Sequence, residues 1–246
     1  MRATGETIDP AEIARFAAQA KGWWDPAGSF RPLHRLNPAR LDFIRHGLDA
    51  HFGCDPHSLS PFEGLTLCDI GCGGGLIAEP MARLGFKVTA IDADEEAVAV
   101  ASAHAAAGGL TVDYLSETAE SLAREGRQFD VVLALELIEH VAEPDALLAA
   151  CGSLVKSGGV FIGATLNRTP QAYALAILGA EYVMRWLPRG THDWRRFLRP
   201  SEFVLGLRRA GFRATRLKGL RYRIATGDWA LSDDLSVNYL VMAVKQ

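Results

Sequence analysis

The chain has 246 residues, of which 49% are hydrophobic and 22% charged, and its formal net charge is −3. This composition is typical of a globular protein and excludes an intrinsically disordered chain, and the length accommodates one α/β domain with an appendage. No run of about 18 apolar residues occurs, so no membrane-spanning helix is expected. The four cysteines form no Cys-x-x-Cys pair and favour a reducing compartment, which predicts a cytoplasmic protein.

The first sixty residues predict a helical arm or lid. Asp9 and the proline after it form a typical helix start, and the apolar stripe that follows predicts a helix over 10–21. Trp23 and Trp24 then begin an aromatic, proline-punctuated and basic stretch that is typical of an ordered lid or a substrate-pocket arm. The sequence leaves open the alternative that the two tryptophans only anchor the first helix. A second helix is expected over 39–52.

A short apolar strand leads into Asp69 and then into four glycines within five positions. Because glycine lacks a Cβ, such a turn lets the backbone approach a ligand, and we expect it to open a helix over 74–85 whose N–H groups point at that ligand. The dinucleotide pattern Gly-x-Gly-x-x-Gly fails, since Leu76 stands where its third glycine is needed. An acid beside the turn repels phosphate but suits a cation, such as the amine and sulfonium of S-adenosylmethionine.

A second acid ends the next predicted strand about 20 residues downstream, where it can accept hydrogen bonds from ribose hydroxyls. The two acids and the glycine turn together predict the cofactor site of a class I methyltransferase. The alternative is a glycine-rich surface turn beside an unrelated acid. The cofactor residues indicated by the pattern are Asp69, Gly71, Gly73 and Asp92.

Strands and helices are expected to alternate through the middle of the chain. The predicted strands lie near 65–70, 87–91, 110–114, 130–135 and 159–165, and the predicted helices near 74–85, 94–107, 117–125 and 143–154. A helix over 201–210 and two further strands over 212–217 and 237–245, the last antiparallel, complete the pattern. The fold class predicted is α/β, a Rossmann-like, mostly parallel, doubly wound sheet of seven strands.

An insertion interrupts this alternation after the fifth strand. The chain therefore divides into an arm or lid (1–60), a cofactor-binding core (61–166), the insertion (167–200) and the C-terminal part of the sheet (201–246). Residues 168–223 hold 13 Lys and Arg against 3 acids, a local charge of +10 that suggests an anionic partner. The charge is nearly all arginine and no aromatic stacking platform accompanies it, so no nucleic-acid partner is expected.

The middle of the insertion, 171–187, is apolar and aromatic with flanking arginines, and its apolar run is too short to span a bilayer. Such a segment suits the surface of an anionic membrane, which places the protein peripherally on the inner face of the plasma membrane. It also suits a cover over an apolar substrate, and a plain pair of core helices remains an open alternative.

Two carboxylates and an imidazole follow the fourth strand. If the chain turns helical there, Glu136, Glu139 and His140 stand at i, i+3 and i+4 and share one face. This is a plausible set of metal ligands beside the methyl donor, and a hard divalent ion there could hold both oxygens of a catechol-type acceptor. The alternative is that these residues cap the next helix or line the pocket.

Motifs outside the glycine turn make the chain resemble the ubiquinone-biosynthesis O-methyltransferases from about residue 10 to the C-terminus. They are Trp23-Trp24-Asp25, the run from Pro32 to Leu41, Val112-Asp-Tyr114, Glu139-His140-Val141, Thr165-Leu-Asn-Arg168, Gly179-Ala-Glu-Tyr182 and Gly190-Thr-His-Asp193. The resemblance implies two O-methylations of catechol-type polyprenyl phenols, on an early polyprenyl dihydroxyphenol and on the late 3-demethylubiquinol. It also implies contact with membrane lipid, and makes other ubiquinone-biosynthesis proteins candidate partners.

The resemblance further implies roles for individual residues. Arg40 would pair with the methionine carboxylate, Gly71 gives backbone access, Asp92 accepts from the ribose and Leu135 packs against the ligand. The positions that correspond to the family's divalent metal site, for magnesium or zinc, are Glu136, Glu139 and His140.

The implied reaction is an in-line displacement in which a phenolate oxygen attacks the sulfonium methyl group. A phenol has a pKa of about 10, so its deprotonation needs help. The metal is the first candidate for this help, and His192 is a weaker candidate for a general base. Two alternatives stay open: a methyltransferase for another small molecule or RNA, and a non-catalytic, membrane-bound assembly subunit with the same fold.

Overall fold

The computed structural model describes residues 22–55, 57–175, 193–223 and 226–246. Eight strands in these ranges form one sheet in the order β3-β2-β1-β4-β5-β8-β6-β7. Strands β1 to β5 are parallel to one another, whereas β8 is antiparallel to both β5 and β6. The strands are β1 (Thr66–Ile70), β2 (Lys87–Asp92), β3 (Asp113–Ser116), β4 (Phe129–Leu135), β5 (Val155–Leu166), β6 (Phe212–Arg223), β7 (Asp228–Ser232) and β8 (Asn238–Lys245).

Helices cover both faces of the sheet. Alternate residues of β1, β4 and β5 belong to two apolar clusters, one shared with α1 and α2 and the other with α4, α5 and α7. This double coverage explains why the central strands are continuously apolar. The helices are α1 (Arg31–Phe52), α2 (Ala78–Arg83), α3 (Glu95–Ala107), α4 (Ala119–Arg124), α5 (Pro144–Leu154), α6 (Pro170–Ala172) and α7 (Pro200–Arg209).

The predicted α/β class, the mostly parallel sheet and the antiparallel last strand are confirmed. The sheet has eight strands rather than seven, because β7 adds an antiparallel strand beside β6 at the edge. Its five residues are all half-buried, so they lack the apolar run by which a central strand is recognised. The division into four segments stays a prediction.

Two helices begin at places other than those predicted. Helix α1 begins at Arg31, eight residues before the predicted start, with a proline in its first turn and Pro38 inside it. Helix α2 begins only at Ala78, because Gly73 and Gly75 have φ angles of 51° and 85°, which a right-handed helix does not allow. The N–H of Glu79 nevertheless donates to the Gly75 carbonyl at 3.1 Å, so helical hydrogen bonding begins at the glycine turn. That the N–H groups of this turn face the ligand stays a prediction.

Some predicted features lie outside the described ranges. These are the helix over 10–21 and most of the insertion, including 176–192. Among the residues that the structure describes, no helix combines the length and apolarity needed to cross a membrane.

Candidate functional site

The glycine turn lies at the edge of the sheet where the parallel strands end. The backbone N–H groups of Gly71 and Cys72 donate to the Ile91 carbonyl at 2.8 and 3.0 Å, which ties the turn to the end of β2. Gly71 has a φ of 72°, and a Cβ there would lie 3.0 Å from the side chain of Leu137. A side chain at Gly71 would therefore be strained by this conformation and would require Leu137 to shift.

Asp92 links this turn to the loop after β2. Its Oδ2 accepts from the N–H of Gly73 at 2.8 Å, and its Oδ1 accepts from the N–H of Asp94 at 2.9 Å. Burial raises the pKa of Asp92, and these two hydrogen bonds oppose the rise. Because each carboxylate oxygen has two lone pairs, Asp92 can still accept from the hydroxyls of a ligand.

Asp69 lies at the centre of the site and is 3% exposed. Burial, and then the nearby charge of Asp92, raise the pKa of the Asp69 carboxyl to about 7, and Arg40 opposes that rise. Burial disfavours the ionised form of such a carboxyl group, and a cation beside it stabilises that form. The predicted cofactor residues Asp69, Gly71, Gly73 and Asp92 thus meet at one edge of the sheet.

Arg40 reaches the same edge from α1 and is 3% exposed. Its Nη1 donates to Asn37 Oδ1 at 3.3 Å, and Asn37 Nδ2 donates to the Leu76 carbonyl at 3.4 Å, which joins α1 to the glycine turn. Arg40 Nη2 lies 2.8 Å from Glu136 Oε1, but the N–H is not aligned with that oxygen, and both Nη2 and Nε have no hydrogen-bond partner. Nε is therefore available to a planar anion such as a carboxylate, and Nη2 becomes available if it leaves Glu136.

The chain turns sharply where β4 ends at the half-buried Leu135. Glu136 donates its N–H to the Ala164 carbonyl at 2.9 Å and has a φ of 51°, the only positive value at a non-glycine residue in the described ranges. Such strain is common at functional sites. Residues 138–140 then form a turn and not a helix. The prediction that Glu136, Glu139 and His140 share a helix face is therefore wrong.

Glu139 points inwards instead. It is 3% exposed, its Oε2 accepts from Thr165 Oγ1 at 2.8 Å, and its Oε1 has no hydrogen-bond partner. Burial and then the charge of Glu136 raise the pKa of Glu139 to about 7, whereas His140 lowers it. Within the described part of the chain, no group of three or more His, Cys, Asp and Glu side chains is arranged to hold a metal ion.

The structure adds residues that the sequence did not single out as site residues. The indole of Trp24 donates to the Gly74 carbonyl at 2.9 Å and stacks on His104, and the buried hydroxyl of Tyr114 lies beside Gly75 without a partner. The Val112-Asp-Tyr114 motif was a signal for the tyrosine. No local signal marks His104, which lies 80 residues from Trp24. His192 lies outside the described residues.

Comparisons with known proteins agree with this geometry. A family model described as a methyltransferase domain matches residues 68–163. The chain is 53% identical to the ubiquinone biosynthesis O-methyltransferase of Parvibaculum lavamentivorans, over 98% of this chain and 96% of that protein. It is 52% identical to the protein of the same name from Cereibacter sphaeroides, over 99% of each.

A solved structure extends the comparison to the fold. Magnesium protoporphyrin IX methyltransferase from Synechocystis PCC 6803 with bound SAH matches with a TM-score of 0.63 over 95% of this chain and 94% of that chain. The sequence identity is 20%, so this likeness concerns the fold alone.

Proposed function

The chain belongs to the ubiquinone biosynthesis O-methyltransferases, and we propose that it transfers the methyl group of S-adenosylmethionine to catechol-type polyprenyl phenols. Both O-methylations are included, that of an early polyprenyl dihydroxyphenol and that of 3-demethylubiquinol. The observation that carries the proposal is the buried Arg40, whose Nε has no hydrogen-bond partner and whose Nη2 is ion-paired with Glu136, at the sheet edge that Asp69 and Asp92 also occupy. An anion-binding group beside two acids suits a ligand with a carboxylate, a sulfonium and a ribose.

Each part of the cofactor then has a counterpart in the site. Arg40 holds the methionine carboxylate, Asp69 attracts the amine and the sulfonium, and Asp92 accepts from the ribose hydroxyls. Gly71 lets the backbone approach the ligand. Leu135, at the end of β4, supplies an apolar contact.

The reaction needs a group that takes the proton of the acceptor hydroxyl. We assign this role to the buried Glu139, beside the half-buried Glu136. A carboxyl whose pKa is raised to about 7 is closer to the pKa of a phenol, about 10, than an ordinary carboxyl is, and so accepts its proton more readily. His140 lowers the pKa of Glu139 and so favours its ionised form.

A divalent ion, Mg²⁺ or Zn²⁺, is the alternative source of help with this deprotonation, because a carboxylate that binds a metal ion is a poorer proton acceptor. Glu136 Oε1 and Glu139 Oε1 are buried oxygens without hydrogen-bond partners, and such donors suit a hard cation. Glu136, Glu139 and His140 are not arranged to hold an ion in the described structure. They would hold it only after a rearrangement in which Arg40 turns from Glu136 to the cofactor carboxylate. When bound, the ion would lower the pKa of the acceptor hydroxyl. Calorimetry with Mg²⁺ and with Zn²⁺, in the presence and absence of S-adenosylhomocysteine, tests this: heat only with the nucleoside present supports it, and no heat in either case contradicts it.

We also propose that the protein lies on the inner face of the plasma membrane. Tyr173 and Leu175 are 43% and 57% exposed just before the part of the insertion that the structure leaves undescribed, in a basic section of the chain. Aromatic and aliphatic side chains beside arginines suit an anionic lipid surface.

The double variant Tyr173→Ser and Leu175→Ser should bind phosphatidylglycerol vesicles less than the wild type does. Leu59→Ser, at an 89% exposed residue elsewhere, is the matched control. Equal recovery on neutral and anionic vesicles would contradict the proposal.

The catalytic proposal is tested by methyl transfer from labelled S-adenosylmethionine to purified acceptors. A polyprenyl catechol and the same compound without one of the two hydroxyls form the matched pair. We expect label in the catechol and at most a trace in the monohydroxy compound. Label in neither acceptor, with wild-type binding of the nucleoside, would exclude this substrate class.

A further inference from the structure

Trp23 lies directly on the glycine turn. A Cβ placed on Gly73 would be 2.5 Å from Cη2 and Cζ2 of this indole, and one placed on Gly74 would be 2.4 Å from its Cβ and Cγ. The other face of the ring stacks on Phe30, with 3.7 Å between ring centroids and 10° between planes. The indole of Trp23 therefore covers Gly73 and Gly74, and we call it the roof of the glycine turn.

The N–H of this indole has no partner. Trp23 Nε1 is buried and makes no hydrogen bond. Its neighbour in the ring, Cε2, is among the three atoms nearest to the Cβ position of Gly73. A buried N–H without an acceptor is destabilising, so a ligand oxygen that accepts from it strengthens binding. Arg40 Nε, at the same edge of the sheet, also has no hydrogen-bond partner.

A separate network holds the roof in place. Trp24 donates from Nε1 to the Gly74 carbonyl at 2.9 Å and stacks on His104, with 3.5 Å between centroids and 5° between planes. His104 Nδ1 lies 2.6 Å from Oε1 of Glu79, which is 2% exposed. His34 Nε2 is bonded to the Trp23 carbonyl at 2.8 Å.

We propose that Trp23 is a cofactor-binding residue, whose ring covers the glycine turn and whose N–H donates to an oxygen of the bound nucleoside. Trp24 and His104 are positioning residues, which hold this roof against Gly74. The inference rests on the proposed function, since it takes S-adenosylmethionine to be the ligand.

The test is calorimetric titration of the full chain with S-adenosylhomocysteine. Trp23→Phe keeps an aromatic ring, smaller than the indole, and removes the N–H donor. We expect it to weaken binding about five- to tenfold. Trp23→Ala removes the roof as well and should weaken binding about 30- to 100-fold. Trp24→Phe and His104→Ala should raise KM for the cofactor about three- to tenfold and leave kcat near the wild-type value.

Trp229→Phe is the control, because this tryptophan lies on the edge strand β7. It should bind as the wild type does and keep the fluorescence change on titration, whereas the change should shrink in Trp23→Phe. Wild-type affinity or tighter binding in both Trp23 variants would overturn the inference and leave the proposed function standing. No binding by the wild type would overturn both.

Discussion

The two ends of the same parallel strands differ in how their polar groups are satisfied. At the amino end, Asp130 Oδ2 accepts from the N–H and the hydroxyl of Thr66 and from Lys156 Nζ, at 2.7–2.8 Å. Although burial opposes it, these three bonds lower the pKa of Asp130 below its ordinary value. This end joins β1, β4 and β5 by a satisfied network.

The carboxyl end shows the opposite balance. The pKa values of Asp69, Asp92 and Glu139 are all raised by burial, and unpartnered polar atoms remain on Arg40 and Glu139. A buried, unsatisfied group destabilises the fold unless a ligand completes it. The amino end therefore stabilises the sheet, whereas the carboxyl end is held ready for a ligand at a cost in stability.

The largest effect expected at the carboxyl end is on turnover. Glu139→Gln removes a proton acceptor and should lower kcat about 10²- to 10⁴-fold, with the Kd for S-adenosylhomocysteine near the wild-type value. The wild-type kcat should rise with pH through about 7, because Glu139 must be ionised to accept a proton. A pH–rate profile checks this, and a Glu139→Gln variant with the wild-type rate and profile would remove Glu139 from the mechanism.

The second effect is on cofactor affinity. Arg40→Gln should weaken binding of S-adenosylhomocysteine about 30- to 100-fold, because a buried carboxylate loses its charged partner. Binding of methylthioadenosine, which has no carboxylate, should change by less than about threefold. Calorimetry with both ligands measures the difference, with Arg40→Lys as the charge-preserving control. Equal losses for both ligands would mean that Arg40 does not bind the carboxylate.

The sequence was sufficient for the features that rest on local patterns. Asp69, Asp92 and the glycines could be placed at one edge because continuous apolar runs identify parallel strands, and parallel strands bring their carboxyl ends together. Helical spacing was expected for Glu136, Glu139 and His140. This prediction is wrong because Glu136 adopts a positive φ, which a glutamate in the sequence does not indicate.

Other features depend on contacts between distant residues. The stack of Trp24 on His104 joins two segments 80 residues apart, and the pairing of Arg40 with Glu136 joins segments 96 apart. Neither contact is marked by a periodic pattern in the sequence. The edge strand β7 was missed for a related reason, since its pairing with β6 defines it more than its composition does.

At the amino end, a substitution is expected to change the stability of the fold and not the binding of the nucleoside. Asp130→Ala removes three hydrogen bonds from a partly exposed carboxylate and should lower the free energy of unfolding by about 1–2 kcal/mol. The melting temperature should fall by roughly 3–6 °C, and the Kd for the nucleoside should not change. Calorimetric melting and titration check the two halves. A weaker Kd with an unchanged melting temperature would erase the contrast between the two ends.

The smallest effect is a gain in stability. Since the pKa of Asp69 is raised by burial, the wild-type free energy of unfolding falls as pH rises from the ordinary carboxyl range, about 4, to about 7. Asp69→Asn removes this loss and should raise the melting temperature at pH 8 by roughly 2–4 °C, with weaker nucleoside binding. Melting at pH 5 and pH 8 checks the sign. A variant that melts lower at both values would contradict the account of the acid.

The direct test of the central claim is a calorimetric titration of the purified wild-type chain with S-adenosylhomocysteine, beside a titration with NAD. We expect saturable heat from one site with S-adenosylhomocysteine and no heat with NAD. Heat with NAD and none with S-adenosylhomocysteine would contradict it.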